Sequence, residues 1–270
     1  MLTRGRVLVV AGSDSGGGAG IQADIKTITA LGGYAATAIT ALTAQNTRGV
    51  FDILEVPADF LRRQIDVVLS DLGADAIKTG MLHRAAAIET LCDALEAMAP
   101  RTPLVVDPVM AATSGSRLLD AAAIAVLRRR LMPRADVLTP NLPEAAVLLG
   151  GGIETRAAMR EAASALRALG PRAVLLKGGH LQGETLVDVL ATPDGLEEFE
   201  APRIDSRHTH GTGCTLASAV AVSLAQGLGL RDAVIRARAF VREAIRTAPG
   251  FGSGHGPLNH AHTVAPFKAG

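Results

Sequence analysis

Short apolar runs alternate along this chain with longer segments of helical period, and this alternation limits the fold more than any other feature. Arg6–Ala11, Ala35–Thr40, Ala74–Lys78, Leu104–Asp107, Val137–Thr139 and Ala173–Lys177 are mostly apolar and are bounded by glycine, proline or polar residues. Strands without a polar face belong to a parallel sheet covered on both sides. Helices are predicted between them, over Ile21–Leu31, Ala85–Ala97, Ala121–Leu131 and Arg156–Leu169. Another starts near Pro57, which suits a first helical turn, and sets Leu61, Ile65, Val68, Leu69 and Leu72 opposite Arg62, Arg63 and Asp66. Thr185–Ala191 and Leu196–Glu200, around Pro193-Asp194-Gly195, read as an edge β-hairpin. No linker, repeat or low-complexity segment interrupts the pattern, so residues 1–270 are expected to form one domain.

Composition narrows the function classes. The 270 residues are 48% hydrophobic, enough for a sizeable core, and the net charge is only +1. That balance gives no electrostatic case for binding nucleic acid or a membrane surface. The two cysteines, Cys92 and Cys214, are far apart, which fits neither a disulfide framework nor zinc spacing and suits a reducing cytoplasm. The first apolar run is too short for a signal-peptide core, and Asp14 follows it closely. No segment approaches the roughly 18 uninterrupted apolar residues of a membrane span.

In a parallel sheet, ligands bind beyond the carboxyl ends of the strands. The residues there include Gly12, Gln45, Met81, Asp107, Asn141, Glu144 and Lys177. Thr209-His210-Gly211-Thr212-Gly213-Cys214 is followed at once by the apolar run Leu216–Leu224, which reads as a loop opening a buried helix. The first turn of such a helix offers free N–H groups and a positive dipole end, a seat for phosphate. That points to phosphoryl transfer. The glycine-rich loop Gly12–Gly20 is no dinucleotide fingerprint, because Ile21 stands where the last glycine would be, counted from Gly16. Nor is it a phosphate loop, because no glycine precedes Lys26-Thr27. A nicotinamide-dependent oxidoreductase therefore fails at this spacing.

Each remaining candidate has a specific chemistry. The amide of Gln45 offers a donor and an acceptor side by side, matching the edge of an aminopyrimidine. Asp107 and Glu144 are placed to hold Mg2+ on nucleotide phosphates, with Asn141 beside them and Lys177 as a point charge for a phosphate. Cys214 is open to two readings: a thiolate, its pKa lowered by the helix start, that takes the substrate proton, or a thiol that packs while magnesium and the anion hole do the chemistry. Cys92, mid-helix among apolar residues, is expected in the core. His208 and His210 flank the anion loop. His255, His260 and His262 lie in a glycine-rich tail that reads as mobile and so unsuited to a metal site.

Gly12–Lys26, Ile39–Thr47, Lys78–Leu82, Val106–Met110, Thr139–Ala145, Lys177–His180 and Thr209–Cys214 stand in order, and from about Val7 to His262 the chain resembles the bacterial hydroxymethylpyrimidine/phosphomethylpyrimidine kinases of thiamine biosynthesis. The resemblance implies a ribokinase-like three-layer α/β/α fold with a mostly parallel sheet, a homodimer, and a cytoplasmic enzyme. It implies ATP-dependent phosphorylation of 4-amino-5-hydroxymethyl-2-methylpyrimidine, then of its monophosphate, to the diphosphate. Carried over by position, Gln45 resembles the pyrimidine-reading amide, and Asp24, Gly12 and Met81 the rest of the substrate pocket. Asp107 and Glu144 resemble the magnesium and phosphate end, Lys177 the nucleotide-phosphate lysine, and Gly211, Thr212 and Gly213 the anion hole. Many relatives in the wider superfamily carry an aspartate base at the Cys214 position, whereas the closer family commonly has cysteine. Pyridoxal kinases share the fold and are the nearest alternative. A non-catalytic pyrimidine-binding sensor is a further one, disfavoured because a sensor has no need of the phosphate end.

Overall fold

The computed structural model describes residues 5–111, 115 and 118–265. Among them β1 (Arg6–Asp14), β2 (Tyr34–Asn46), β3 (Gly49–Glu55), β4 (Ala76–Thr79), β5 (Leu104–Val106), β6 (Val137–Leu138), β7 (Ala173–Leu176), β8 (Thr185–Thr192) and β9 (Gly195–Pro202) form one sheet. Its order is β3-β2-β1-β4-β5-β6-β7-β8-β9. The stretch from β2 to β7 is parallel, while β3 at one edge and the β8–β9 hairpin at the other run antiparallel.

Helices follow the strands: α1 (Gly20–Ala30), α2 (Ala58–Asp71), α3 (Ala85–Met98), α4 (Ala121–Val126), α5 (Met132–Arg134), α6 (Leu142–Leu149), α7 (Arg156–Ala168), α8 (Thr212–Ala225) and α9 (Leu230–Arg246). A π-helical turn, Leu127–Leu131, joins α4 to α5. Successive strand residues point to opposite faces, so β1 feeds two cores. Val7, Val9 and Ala11 pack with Ile28 of α1, Val220 of α8 and Val234 of α9. Leu8 and Val10 pack with Leu61 of α2, Leu91 of α3, Leu148 of α6 and Leu166 of α7. This is a three-layer α/β/α architecture with Cys92 buried in the second core.

The structure adds to the expected elements at several points. The second strand extends to Asn46 rather than ending near Thr40, because β3 pairs with its far end, so Thr43 and Gln45 sit in a ladder and not in a loop. The edge strand β3 escapes a simple pattern because it leaves Phe51 and Leu54 exposed. The glycine-rich tail is tied down: His255 N–H donates to Thr47 O at 2.9 Å and His210 N–H to Gly256 O at 3.2 Å. His260 is buried against Thr215, at 2.9 Å. Among the described residues no helix is long and apolar enough to cross a membrane.

Candidate active site

The carboxyl ends of the parallel strands open into a cavity of about 1010 Å³. Gly12, Gln45, Met81, Asp107, Asn141, Glu144, Lys177, Gly211, Thr212, Gly213 and Cys214 all line it. Asp24, expected beside them, does not. Its side chain is fully buried in α1, where Oδ1 accepts from Lys78 Nζ at 2.8 Å and from Ser218 Oγ at 2.6 Å. Burial alone would lower the Lys78 pKa, but Asp24, with Cys214 and Asp107 beyond it, holds the ammonium above its ordinary value. Asp24 thus serves as the counter-ion of a lysine under the floor, a role invisible in sequence because Lys78 lies in a different element.

One end of the cavity is densely charged. Lys177, at the end of β7, donates to Asp107 Oδ1 at 3.0 Å, just past β5. Asn141 caps α6: its Oδ1 accepts from Glu144 N–H at 2.8 Å, and Glu144 Oε2 accepts from Asn141 N–H at 2.7 Å. This capping box satisfies two helix-end donors reciprocally and fixes Glu144 in the first turn. Burial raises the Glu144 carboxyl to about 7, Lys177 opposing the rise and Asp107 adding to it. The α8 start completes this end. Gly211 has φ 88°, and a Cβ on it would stand 1.8 Å from Gly18 O, so only glycine lets the two glycine-rich loops touch. A Cβ on Gly213 would stand 3.1 Å from Lys177 Nζ and 3.6 Å from Asp107 Oδ2, so the helix start, the lysine and the carboxylate converge. Thr212 Oγ1 is turned back onto Thr209 O at 2.6 Å.

Burial pushes the Cys214 thiol up to about 12, against the pull of Lys78. Of the two readings of Cys214, the one with a lowered pKa is disfavoured. Burial is the leading cause of the rise, Asp24 and Asp107 add to it, and Lys78 and the Gly20 backbone oppose it. At neutral pH the group in the free protein is a thiol.

The opposite end presents uncharged groups, Gly12, Gln45 and Met81, with the one carboxylate there, Asp14, taken up by its own loop and His210. Met81 lies against Gly12, where a Cβ would meet its Cε at 2.7 Å. Asp14, at the end of β1, closes the first glycine loop: Oδ1 accepts from Gly16 N–H at 2.8 Å, and Oδ2 from Gly18 N–H at 3.1 Å and Ala19 N–H at 2.8 Å. His210 Nε2 adds a further contact to Oδ2 at 2.8 Å. The Gln45 amide end lies 3.3 Å from the same His210 nitrogen. Sequence reading placed Asp14 in the first strand-end loop but gave it no chemical role. It placed His210 beside the anion loop without a partner, because the two residues are joined only by the fold. Arg203, Arg238 and Arg242 line the outer reach of the cavity, with Val241 and Ile245 of α9. Arg203 is stapled to the carbonyls of Gly179, Leu181 and Gly183 at 2.6 to 2.8 Å, and Arg238 pairs with Asp188.

The donor chemistry fits magnesium. Asp107 and Glu144 offer carboxylate oxygens close enough for like-charge repulsion to add to the rise of Glu144, and Mg2+ typically takes one or two carboxylates together with substrate phosphates. Among the described residues no group of three His, Cys, Asp or Glu side chains forms a site that would hold a metal ion alone.

Comparison with known proteins gives a consistent picture. The family model for phosphomethylpyrimidine kinase matches residues 14–259. The chain is 50% identical over 256 residues to the hydroxymethylpyrimidine/phosphomethylpyrimidine kinase of Streptomyces coelicolor, covering 94% of this chain and 93% of that one. It is 53% identical over 257 residues to the thiamine biosynthesis bifunctional protein ThiED of Geobacter sulfurreducens, covering 95% of this chain but only 52% of that protein, about half its length. Among solved structures, an ADP complex of Bacillus subtilis pyridoxal kinase aligns with a TM-score of 0.88 at 35% identity, over 96% of this chain and 98% of that one. A phosphomethylpyrimidine kinase from Clostridium difficile aligns with a TM-score of 0.79 at 40% identity, over 89% of this chain and 99% of that one.

Proposed function

This chain belongs to the phosphomethylpyrimidine kinase family, and we propose that it transfers a phosphoryl group from ATP first to 4-amino-5-hydroxymethyl-2-methylpyrimidine and then to its monophosphate, in the one cavity at the strand ends. The observation that carries this reading is the convergence of the α8 start, Lys177 and Asp107 at one end of a cavity whose other end presents the uncharged Gln45 amide, Gly12 and Met81. A charged nucleotide tail and a flat neutral heterocycle need that division.

In this reading Lys177 and the first-turn N–H groups at Gly213 and Cys214 stabilise charge on the transferred phosphoryl group. Asp107 and Glu144 would hold Mg2+, which would neutralise charge on the nucleotide phosphates. Gln45 pairs with the aminopyrimidine edge over the surface formed by Gly12 and Met81. Arg203 and the α9 face at Val241 and Ile245 flank the nucleotide. Cys214, protonated in the free protein, positions the acceptor rather than acting as a strong base. A site that relies on electrostatic positioning serves an alcohol and a phosphate acceptor alike. The enzyme acts as a cytoplasmic homodimer, with small molecules as its other partners.

An ATP-coupled assay with Mg2+ tests the reading, offering hydroxymethylpyrimidine, its monophosphate and pyridoxal in parallel. Turnover of both pyrimidines is expected. Pyridoxal kinase activity is the second reading, favoured by the likeness to pyridoxal kinases, and turnover of pyridoxal alone would replace the first. Tight pyrimidine binding without turnover would instead indicate a sensor.

A further inference from the structure

Gln45 is a neutral amide whose value to a ligand depends on which end is oxygen and which is nitrogen. The two ends have the same shape, so their hydrogen-bond partners decide the assignment. One end lies 3.3 Å from His210 Nε2 and the other 3.1 Å from Thr43 Oγ1. Asp14 Oδ2, 2.8 Å from His210 Nε2, also accepts two backbone N–H groups, which marks it as a carboxylate that only accepts. His210 Nε2 therefore carries a hydrogen. The Thr43 hydroxyl has one hydrogen, and Ser13 O, a carbonyl at 3.0 Å, takes it. Thr43 Oγ1 is then an acceptor toward Gln45.

With nitrogen toward His210, two donors would face each other, and two acceptors would meet at Thr43. The opposite assignment removes both clashes: the single His210 Nε2–H, directed chiefly at Asp14 Oδ2 at 2.8 Å, is shared with the Gln45 oxygen at 3.3 Å, and a Gln45 N–H donates to Thr43 Oγ1. An amide has two N–H hydrogens and two oxygen lone pairs. One of each is used, and one of each remains for a ligand, in an order set by His210 and Thr43.

We propose that His210 is a specificity-determining positioning residue, which, with Asp14 and Thr43, locks the Gln45 amide so that the cavity selects a heterocycle carrying a ring-nitrogen acceptor next to an exocyclic amino donor. The inference rests on the reading that Gln45 meets the heterocycle. His210 also joins the two ends of the cavity: its backbone N–H is held by Gly256 O, and the next residue opens the α8 loop. A ligand lacking the amino group leaves a fixed polar group of Gln45 unpaired, which is the expensive side of hydrogen-bond selection.

The test compares hydroxymethylpyrimidine with its analogue lacking the amino group, in the wild type and in His210→Phe, Thr43→Val, Gln45→Ala and the His210→Phe/Gln45→Ala double variant. The wild type is expected to disfavour the analogue by about 100-fold in kcat/KM. His210→Phe should reduce that discrimination to within about threefold, and Thr43→Val to about tenfold, with the KM for ATP unchanged. The double variant should discriminate no differently from Gln45→Ala alone. If Gln45→Ala keeps the full wild-type discrimination, the pyrimidine-reading role of Gln45 fails, and this inference with it. If Gln45→Ala abolishes discrimination while both His210→Phe and Thr43→Val retain it, only the orienting role is overturned. Should His210→Phe not fold, Thr43→Val decides alone: reduced discrimination supports the lock, and full discrimination overturns it.

Discussion

The charged end and the neutral end of the cavity are held in place by different physics. At the charged end Lys177, Asp107 and Glu144 come from three separate elements, and each would be costly to bury alone. Lys177 and Asp107 are tolerated as an ion pair, while Glu144 is held by its capping box with Asn141 and answers its burial with a raised pKa. At the neutral end Gln45 has no net charge, and Gly12 and Met81 offer only shape. A dipole without charge must be oriented, and that falls to its hydrogen bonds with Thr43 and His210, the latter held by Asp14. One end therefore tolerates small displacements but not loss of charge. The other tolerates neither rotation nor a changed donor pattern.

The largest expected effect comes from joining the two ends badly. Gly211→Ala forces a side chain into a left-handed backbone and against Gly18 O. It should lower activity by about 1,000-fold and stability by roughly 3 kcal/mol, read by steady-state kinetics and urea unfolding. A variant within threefold of wild type would mean that the loops need not touch. Lys177→Met tests the charged end alone. It should reduce kcat/KM by about 100-fold or more while leaving hydroxymethylpyrimidine binding, measured by calorimetry, within about twofold. Weakened pyrimidine binding would erase the distinction between the ends.

Glu144 gives the charged end a pH signature. Its folded pKa, about 7, lies above the ordinary carboxylate value of 4.5, burial being the leading cause. The metal-free protein should therefore lose stability as pH rises from about 4.5 through 7, and Glu144→Gln should flatten that loss. Metal binding requires the carboxylate, so Mg2+ affinity should fall by up to about tenfold per pH unit below 7, again not in Glu144→Gln. A pH-independent affinity in the wild type would remove Glu144 from the metal site. The smallest effect is expected for Cys214→Ala. A thiol raised to about 12 holds its proton at neutral pH, so both phosphorylations should fall together, by less than about tenfold. Loss of the first reaction alone, by 100-fold or more, would make Cys214 its base.

Much of this was legible in the chain because the signals are local. The loop Thr209–Cys214 and the apolar run after it predict a helix start, and α8 begins at Thr212. The unbroken apolar runs give the parallel strands, since a strand buried on both faces has no polar residue to spare. Less was legible where structure depends on a partner. The pairing of β2 with β3 carries Gln45 into a ladder, and nothing within Ala41–Asn46 announces it. The short helix α6 is only eight residues long and is defined chiefly by the Asn141–Glu144 capping box, so it read as a strand-end turn. The tail read as mobile from its glycines, yet those glycines allow it to lie against Thr47 and His208 without a clash.

Sequence alone determined the layered fold, the strand-end position of the site and its chemical class, because periodicity, glycine spacing and helix starts act over a few residues. Only the tertiary structure decided which charges neutralise each other and which groups surround the Gln45 amide. Asp24 meets Lys78 across 54 residues, and Asp14 meets His210 across 196. At such separations the chain itself imposes no proximity. Burial then changes the chemistry of what meets, favouring the thiol of the two readings open for Cys214 and making Asp24, expected in the pocket, a buried counter-ion.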